Sequence, residues 1–499
     1  MVSRAKLFRL IYKVHKNYIY IIVTYRYHNL LQAGWGKLCV RVVYYSLLAS
    51  APEKTKSGLG ELCQSTSGSM EELTCFVQQY AWGKLGLDSA VARIKASDPA
   101  FSVSDSAPYA EIWMGTHPNG PSKMVRSGVS LHDWLQAAEN ASAIGIVPEG
   151  YPALDVPFMF KVLSIRTALS IQAHPDKTLA PILHASQPDI YKDPNHKPEM
   201  CVALTSLEAM KGFRPLNEIR DNLEQFPELK SLVGEDAVAQ FLRYCDGTTG
   251  SETEREEQES KALEVIFGAF LRCPVERATL SVRALVERLE GTANSTADEL
   301  PYLCGLILRL HNDYPGDPGI FGPLLLNCLE LTPGQAFFMQ ANEPHAYIKG
   351  DIVEVMALSD NVVRAGLTPK FKDVETLCKM LEYRCIQDVH QCLVQPIQLD
   401  PYCTLYRPPF QACQEFEVEM VALPASREPG VYIVQQLPCA SILLFVQASG
   451  ASYTPAESSD AAAVALHDGA ICFLAANKSV VISAQQKVLL YRAHINLGS

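Results

Sequence analysis

The chain has 499 residues, 48% of them hydrophobic and 19% charged, which is the composition of a soluble globular protein too long for one ordinary core. Its net charge of −11 gives no basic face for nucleic acid, and no apolar run reaches the roughly 20 residues of a membrane span. Fifteen cysteines lie scattered without a C-x-x-C pair, so neither a disulfide framework nor a thiolate zinc site is indicated, and a reducing compartment, the cytoplasm, is expected.

Residues 1–50 hold eight Lys or Arg and no Asp or Glu, so the other 449 residues carry −11 − 8 = −19. An acid-free, basic leader suits a mitochondrial transit peptide, but its many tyrosines and unaligned apolar residues favour a dispensable extension over residues 1–69, disordered through like-charge repulsion. Ordinary globular composition begins at Met70. From there to 215 the pattern is of short strands, among them "PYAEIWMG", "FMFKVLSI", "ALSIQAH" and "EMCVALT", separated by Pro, Gly and Asn.

Residues 216–311 switch to helical spacing, with "SETEREEQES" expected as a solvated loop between two helices. The turn-rich "PGDPGIFGP" returns the chain to strands over 312–395: "GQAFFMQ", "HAYIKG" and "DIVEVMAL", the last two joined by a tight turn at Lys349–Gly350–Asp351. A further strand series fills 396–499. The expected fold is mainly β: two β-barrel or jelly-roll modules, 70–215 with 312–395 and 396–499, the first carrying a helical insertion over 216–311.

Polar residues interrupt this framework at particular places. In "SIQAHPDK" the alternation of an extended chain puts Ser170, Gln172 and His174 on one face, and Pro175 ends the strand. "YKDPNHKPEM" offers His196, Lys197 and Glu199 in a Pro-rich turn, "QANEPHAYIKGD" offers His345 at a strand start, and "EVMALSDNVVRAGLTPKF" supplies Glu354, Arg364 and Lys370. Gln172, His174, Glu199 and His345 would make one nitrogen–oxygen cation site able to polarise a substrate oxygen. The same residues also suit a hydrogen-bonded histidine, a turn-capping glutamate and surface charges, because no compact motif joins them.

The stretches "VQQYAWGKLG", "PYAEIWMGTHPNGPS", "PFMFKVLSIRTALSIQAHPDK", "NHKPEM", "GFRP" and "EPHAYIKGDIVEVMALSDNVVRAGLTPKF" run in order along the chain. Together they closely resemble the type I phosphomannose isomerases. That resemblance implies a cupin fold with two cupin-like domains, and one zinc ion held by Gln172, His174, Glu199 and His345. It implies reversible interconversion of mannose 6-phosphate and fructose 6-phosphate through an enediol(ate), feeding GDP-mannose synthesis and mannose catabolism. Arg364 matches the family's active-site arginine. Glu354, Lys197 and His196 are candidates to carry the proton, with Glu354 preferred and Lys197 also counted as catalytic. Ser170, His196 and Lys370 are the expected substrate contacts, with Lys197 and Lys370 suited to phosphate. The expected partner is a small sugar phosphate met by a monomer, with no nucleic acid or membrane. A sugar-binding cupin would not need Arg364 or Lys370, whereas a zinc hydrolase would release phosphate in place of an isomer.

Overall fold

The computed structural model describes residues 69–247, 250–292, 301–458 and 461–498, and the backbone of three strands before them. Those strands, Lys6–His15, Tyr18–Arg26 and Cys39–Tyr45, form an antiparallel sheet in that order within a unit spanning Met1–Thr66. The side chains of this basic leader lie outside the described residues. A second unit, Ser67–Ser499, contains everything described below.

The second unit is built from two β modules and a helical insertion, with the jelly-roll character that the strand pattern implies. The run Phe158–Ile165 is buried at every position and is apolar except for Lys161 and Ser164, as suits a strand covered on both faces. It lies between Glu111–Met114 and the long strand His345–Ala357, antiparallel to both. That long strand also pairs with Glu199–Ala203 and Leu207–Phe213, and it touches the short strand Ile171–Ala173 through Gln172 opposite His345.

The long strand replaces the expected turn at Lys349–Gly350–Asp351. Its 13 residues run straight through that point, with Gly350 at φ 143°. A Cβ there would come within 2.6 Å of the Ser206 carbonyl oxygen, so only glycine lets the backbones approach this closely. Around this residue the strand changes partners. Lys349 sits opposite Glu208, while Gly350 sits opposite Ile165.

Among the described residues, six α-helices from Leu216–Gln225 to Tyr302–Asp313 make the insertion. Its core, which includes Leu229, Phe241, Phe267 and Leu285, is continuous with Ile171, Ala173 and Val363 of the first β module. The expected loop "SETEREEQES" is instead the first half of the helix Glu252–Leu271. Ser251 accepts from the Glu254 N–H while the Glu254 carboxylate takes the Ser251 N–H, a reciprocal cap that starts the helix inside the charge run.

In the C-terminal module an eight-stranded sheet faces a four-stranded one. The strand Met70–Thr74 joins that larger sheet, pairing with Ile471–Leu474. Phe158, Phe160 and Val355 of the first module share one apolar cluster with Val418, Ile442, Phe473 and Tyr491 of the second. The two modules are thus joined by a dry core, and burying each such large side chain is worth about 1.5–3 kcal/mol.

Candidate metal centre and active site

Three separated segments bring one ligand set together. Gln172 lies on a strand whose other face, Ile171 and Ala173, is fully buried, so Gln172 turns to the opposite side. It stands across from His345 on one side and Arg364, in the strand Val363–Gly366, on the other. Residues directly opposite in antiparallel strands share a face with Cβ atoms about 4.5–5.5 Å apart. Ser170 precedes this three-residue strand and is half-buried.

His174, Glu199 and His345 are 0%, 3% and 1% exposed, and their ligand atoms lie within 4.8 Å of one another. The Nε2 atoms of His174 and His345 each stand 3.5 Å from a different oxygen of Glu199. Neither Nε2 makes a hydrogen bond, although both are buried. Each ring is held from behind: His174 Nδ1 lies 2.7 Å from the Asn361 carbonyl oxygen and His345 Nδ1 lies 3.0 Å from that of Glu343. A carbonyl can only accept, so Nδ1 carries a proton in both rings and each Nε2 is turned toward Glu199. This is the arrangement that orients metal-bound imidazoles. Burial, above all, lowers the His174 pKa to about 4, so its imidazole is neutral at pH 7. Burial alone would raise Glu199, but Lys197 and His174 hold it well below the usual carboxylate range. Two imidazole nitrogens and one carboxylate, with Gln172 paired beside them in the sheet, fit a zinc ion. Buried imidazole nitrogens without a hydrogen bond would otherwise be costly.

Beside this cluster runs a second, charged row. Lys197 Nζ is 3.2 Å from Glu199 Oε1. Lys161, 7% exposed, sits opposite Glu354 in the sheet, with Nζ 3.1 Å from Glu354 Oε2 and 3.9 Å from Glu111 Oε2. Its ammonium also lies over the Trp113 ring, 5.7 Å from the centroid. Burial raises the Glu354 pKa against the pull of Lys161, with Glu199 and Glu111 adding to the rise. Burial would lower Lys161, yet Glu354 and Glu111 lift it above its ordinary value. At the rim His117 Nε2 is 3.3 Å from Asp360, and this contact, more than any other, lowers the aspartate's pKa.

Among the described residues nothing pairs with the half-buried Arg364 guanidinium, the Ser170 hydroxyl or the exposed Lys370 ammonium. Burial lowers the Arg364 pKa somewhat, but a guanidinium stays charged. His196, expected at the substrate, is 3% exposed, and its Nε2 is taken by Glu415 at 2.8 Å. Sequence reasoning missed Lys161, although a lysine inside the apolar run "FMFKVLSI" is the signal that finds it. It also missed Glu415, which lies in none of the quoted motifs.

Residues 70–216 match the family described as phosphomannose isomerase type I, catalytic domain, and residues 232–326 match its helical insertion domain. Mannose-6-phosphate isomerase of Rattus norvegicus is 42% identical over 429 residues, covering 84% of this chain and 97% of the relative. The Homo sapiens enzyme of the same name is 40% identical over 428 residues, with the same coverage. Among solved structures, a phosphomannose isomerase from Salmonella typhimurium superposes with a TM-score of 0.70 at 29% identity, covering 86% of this chain and all of that one. A zinc-bound mannose 6-phosphate isomerase does so with a TM-score of 0.69 at 30% identity and the same coverage. With a catalytic domain and a helical insertion domain both matched and relatives aligned over most of its length, this chain belongs to the type I phosphomannose isomerase family.

Proposed function

We propose that the chain is a zinc-dependent aldose–ketose isomerase that interconverts mannose 6-phosphate and fructose 6-phosphate. The observation that carries this reading is the pair of buried, unpartnered Nε2 atoms of His174 and His345 converging on Glu199. Gln172 completes the ligand set from its place opposite His345. When bound, zinc supplies Lewis-acid polarisation of a substrate oxygen. The chain's own residues do the rest.

Isomerisation moves a proton between C2 and C1 of the open-chain sugar and builds negative charge on the carbonyl oxygen. Arg364 and Lys197 are fixed positive charges for that oxygen, and a preorganised donor of this kind stabilises the transition state in proportion to how dry the site is. Glu354 carries the proton. Its raised pKa brings it nearer the operating pH, where a carboxylate serves best as a base, and Lys161 keeps it oriented at 3.1 Å. Ser170 and Lys370, whose side chains have no partner among the described residues, take the phosphate, while His196 supports the turn that carries Lys197.

A coupled assay that follows fructose 6-phosphate formed from mannose 6-phosphate tests the reading. Release of inorganic phosphate would instead identify a zinc hydrolase, and binding without either product would identify a sugar-binding cupin. Among the described residues no helix is long and apolar enough to cross a membrane. The working form is taken as a cytoplasmic monomer, which sedimentation and cell fractionation test.

The catalytic module is assigned to 70–215 with 312–395, the insertion to 216–311 and the C-terminal module to 396–499. A chain starting at Ser67 is expected to fold, bind zinc and keep its kcat/KM. Starting there spares the Ser69 carbonyl, which accepts from Ala475 N–H. An insoluble or inactive truncation would show that the leader is integral.

A further inference from the structure

We infer that Glu415, a C-terminal-module residue, is a positioning residue for the active site. It acts through His196 and Lys177 on the two motifs that carry His174 and Glu199. This inference rests on the isomerase reading above.

Glu415 is 0% exposed, and its carboxylate gathers donors from three distant segments. Oε1 receives Tyr151 Oη at 2.9 Å, His196 Nε2 at 2.8 Å and Lys177 Nζ at 3.1 Å, while Oε2 accepts from Gln414 N–H at 2.9 Å. Asn195 closes the group, donating Nδ2 to Tyr151 Oη at 3.0 Å and to the Leu358 carbonyl at 2.9 Å. Lys177 follows His174 by three residues, and His196 precedes Glu199 by three. One buried carboxylate therefore ties the exit of one ligand motif to the entry of the other. Lys197, next to His196, is the residue whose ammonium reaches Glu199.

The arrangement is more than a strut between modules. The modules already share a large apolar cluster that includes Phe416 and Val418, so one charge there is not needed to hold them together. A buried charge is expensive unless fully paired, and two of the four donors to this one, His196 and Lys177, come from the motif loops. Loops on a rigid scaffold set catalytic geometry, and an ångström of misplacement is enough to slow the chemistry severely. Without the anion, the His196 ring loses its anchor, although Ser359 and Asn361 still hold the Asn195 carbonyl, while the metal ligands keep their own Nδ1 partners, Asn361 and Glu343.

The test compares Glu415→Gln and Glu415→Asp with the parent chain for zinc content, melting temperature, KM and kcat with mannose 6-phosphate. Glu415→Gln should keep one zinc per chain and KM within about twofold, and lose about ten- to a hundredfold in kcat, the scale of loss that about an ångström of misplacement brings. Glu415→Asp, which restores the anion on a shorter stem, should recover part of that loss. A kcat within about twofold of the parent in Glu415→Gln would overturn the inference. So would a loss of kcat that merely follows loss of zinc or of folded protein in both variants. A parent chain that holds zinc but forms no fructose 6-phosphate would sink the isomerase reading itself, not this coupling alone.

Discussion

His174→Ala and His345→Ala are each expected to strip zinc from the chain and abolish isomerisation. Each removes one of two buried Nε2 atoms that have no other partner, and leaves Glu199 with a single imidazole 3.5 Å away. Losing an outer-shell partner of a metal site typically costs about 10–100-fold in affinity, and losing a ligand costs more. The fold should survive, because the rings contact the site more than the apolar cores and the surrounding strands stay paired. Elemental analysis of the purified variants gives the answer. Full zinc occupancy in both would mean that the cluster is not the metal centre.

Arg364→Ala should leave zinc and fold intact and lower kcat by about 10²–10³-fold, the usual loss when one donor to a developing oxyanion is removed. The guanidinium has no acid to neutralise it among the described residues, so its removal breaks no ion pair in the free protein. That separates it from Lys161, whose removal would leave Glu354 charged and buried at a cost of about 3–5 kcal/mol. Steady-state kinetics beside a thermal melt distinguishes the two kinds of loss. Near-normal kcat in Arg364→Ala would make the arginine structural.

The candidate ligand set was legible in the sequence because its residues interrupt apolar strands with side chains that a core does not tolerate. Gln172 and His174 alternate with the buried Ile171 and Ala173, and Pro175 ends the strand behind them. Bringing Glu199 and His345 to the same point is the work of sheet pairing; ligand chemistry suggested the grouping and the family resemblance chose it over the alternatives. Lys161 was obscured by its surroundings: seven apolar or small neighbours in one strand read as core, and only the register shows Glu354 directly opposite. Gly350 looked like a turn because a turn and a close backbone approach both call for glycine. The charge run after Ser251 looked like a loop because its cap was overlooked, although S-x-x-E is a local helix-start signal. The Met70–Thr74 strand and Glu415 depend on contacts across hundreds of residues, which no local pattern encodes.

The most direct test of the whole account is to remove zinc with a chelator, reload the chain, and follow fructose 6-phosphate formation from mannose 6-phosphate at each stage. The account predicts that activity is lost on depletion and returns in full with one equivalent of zinc per chain. Unchanged activity in the metal-free chain, or recovery of a phosphate-releasing activity in its place, would contradict it.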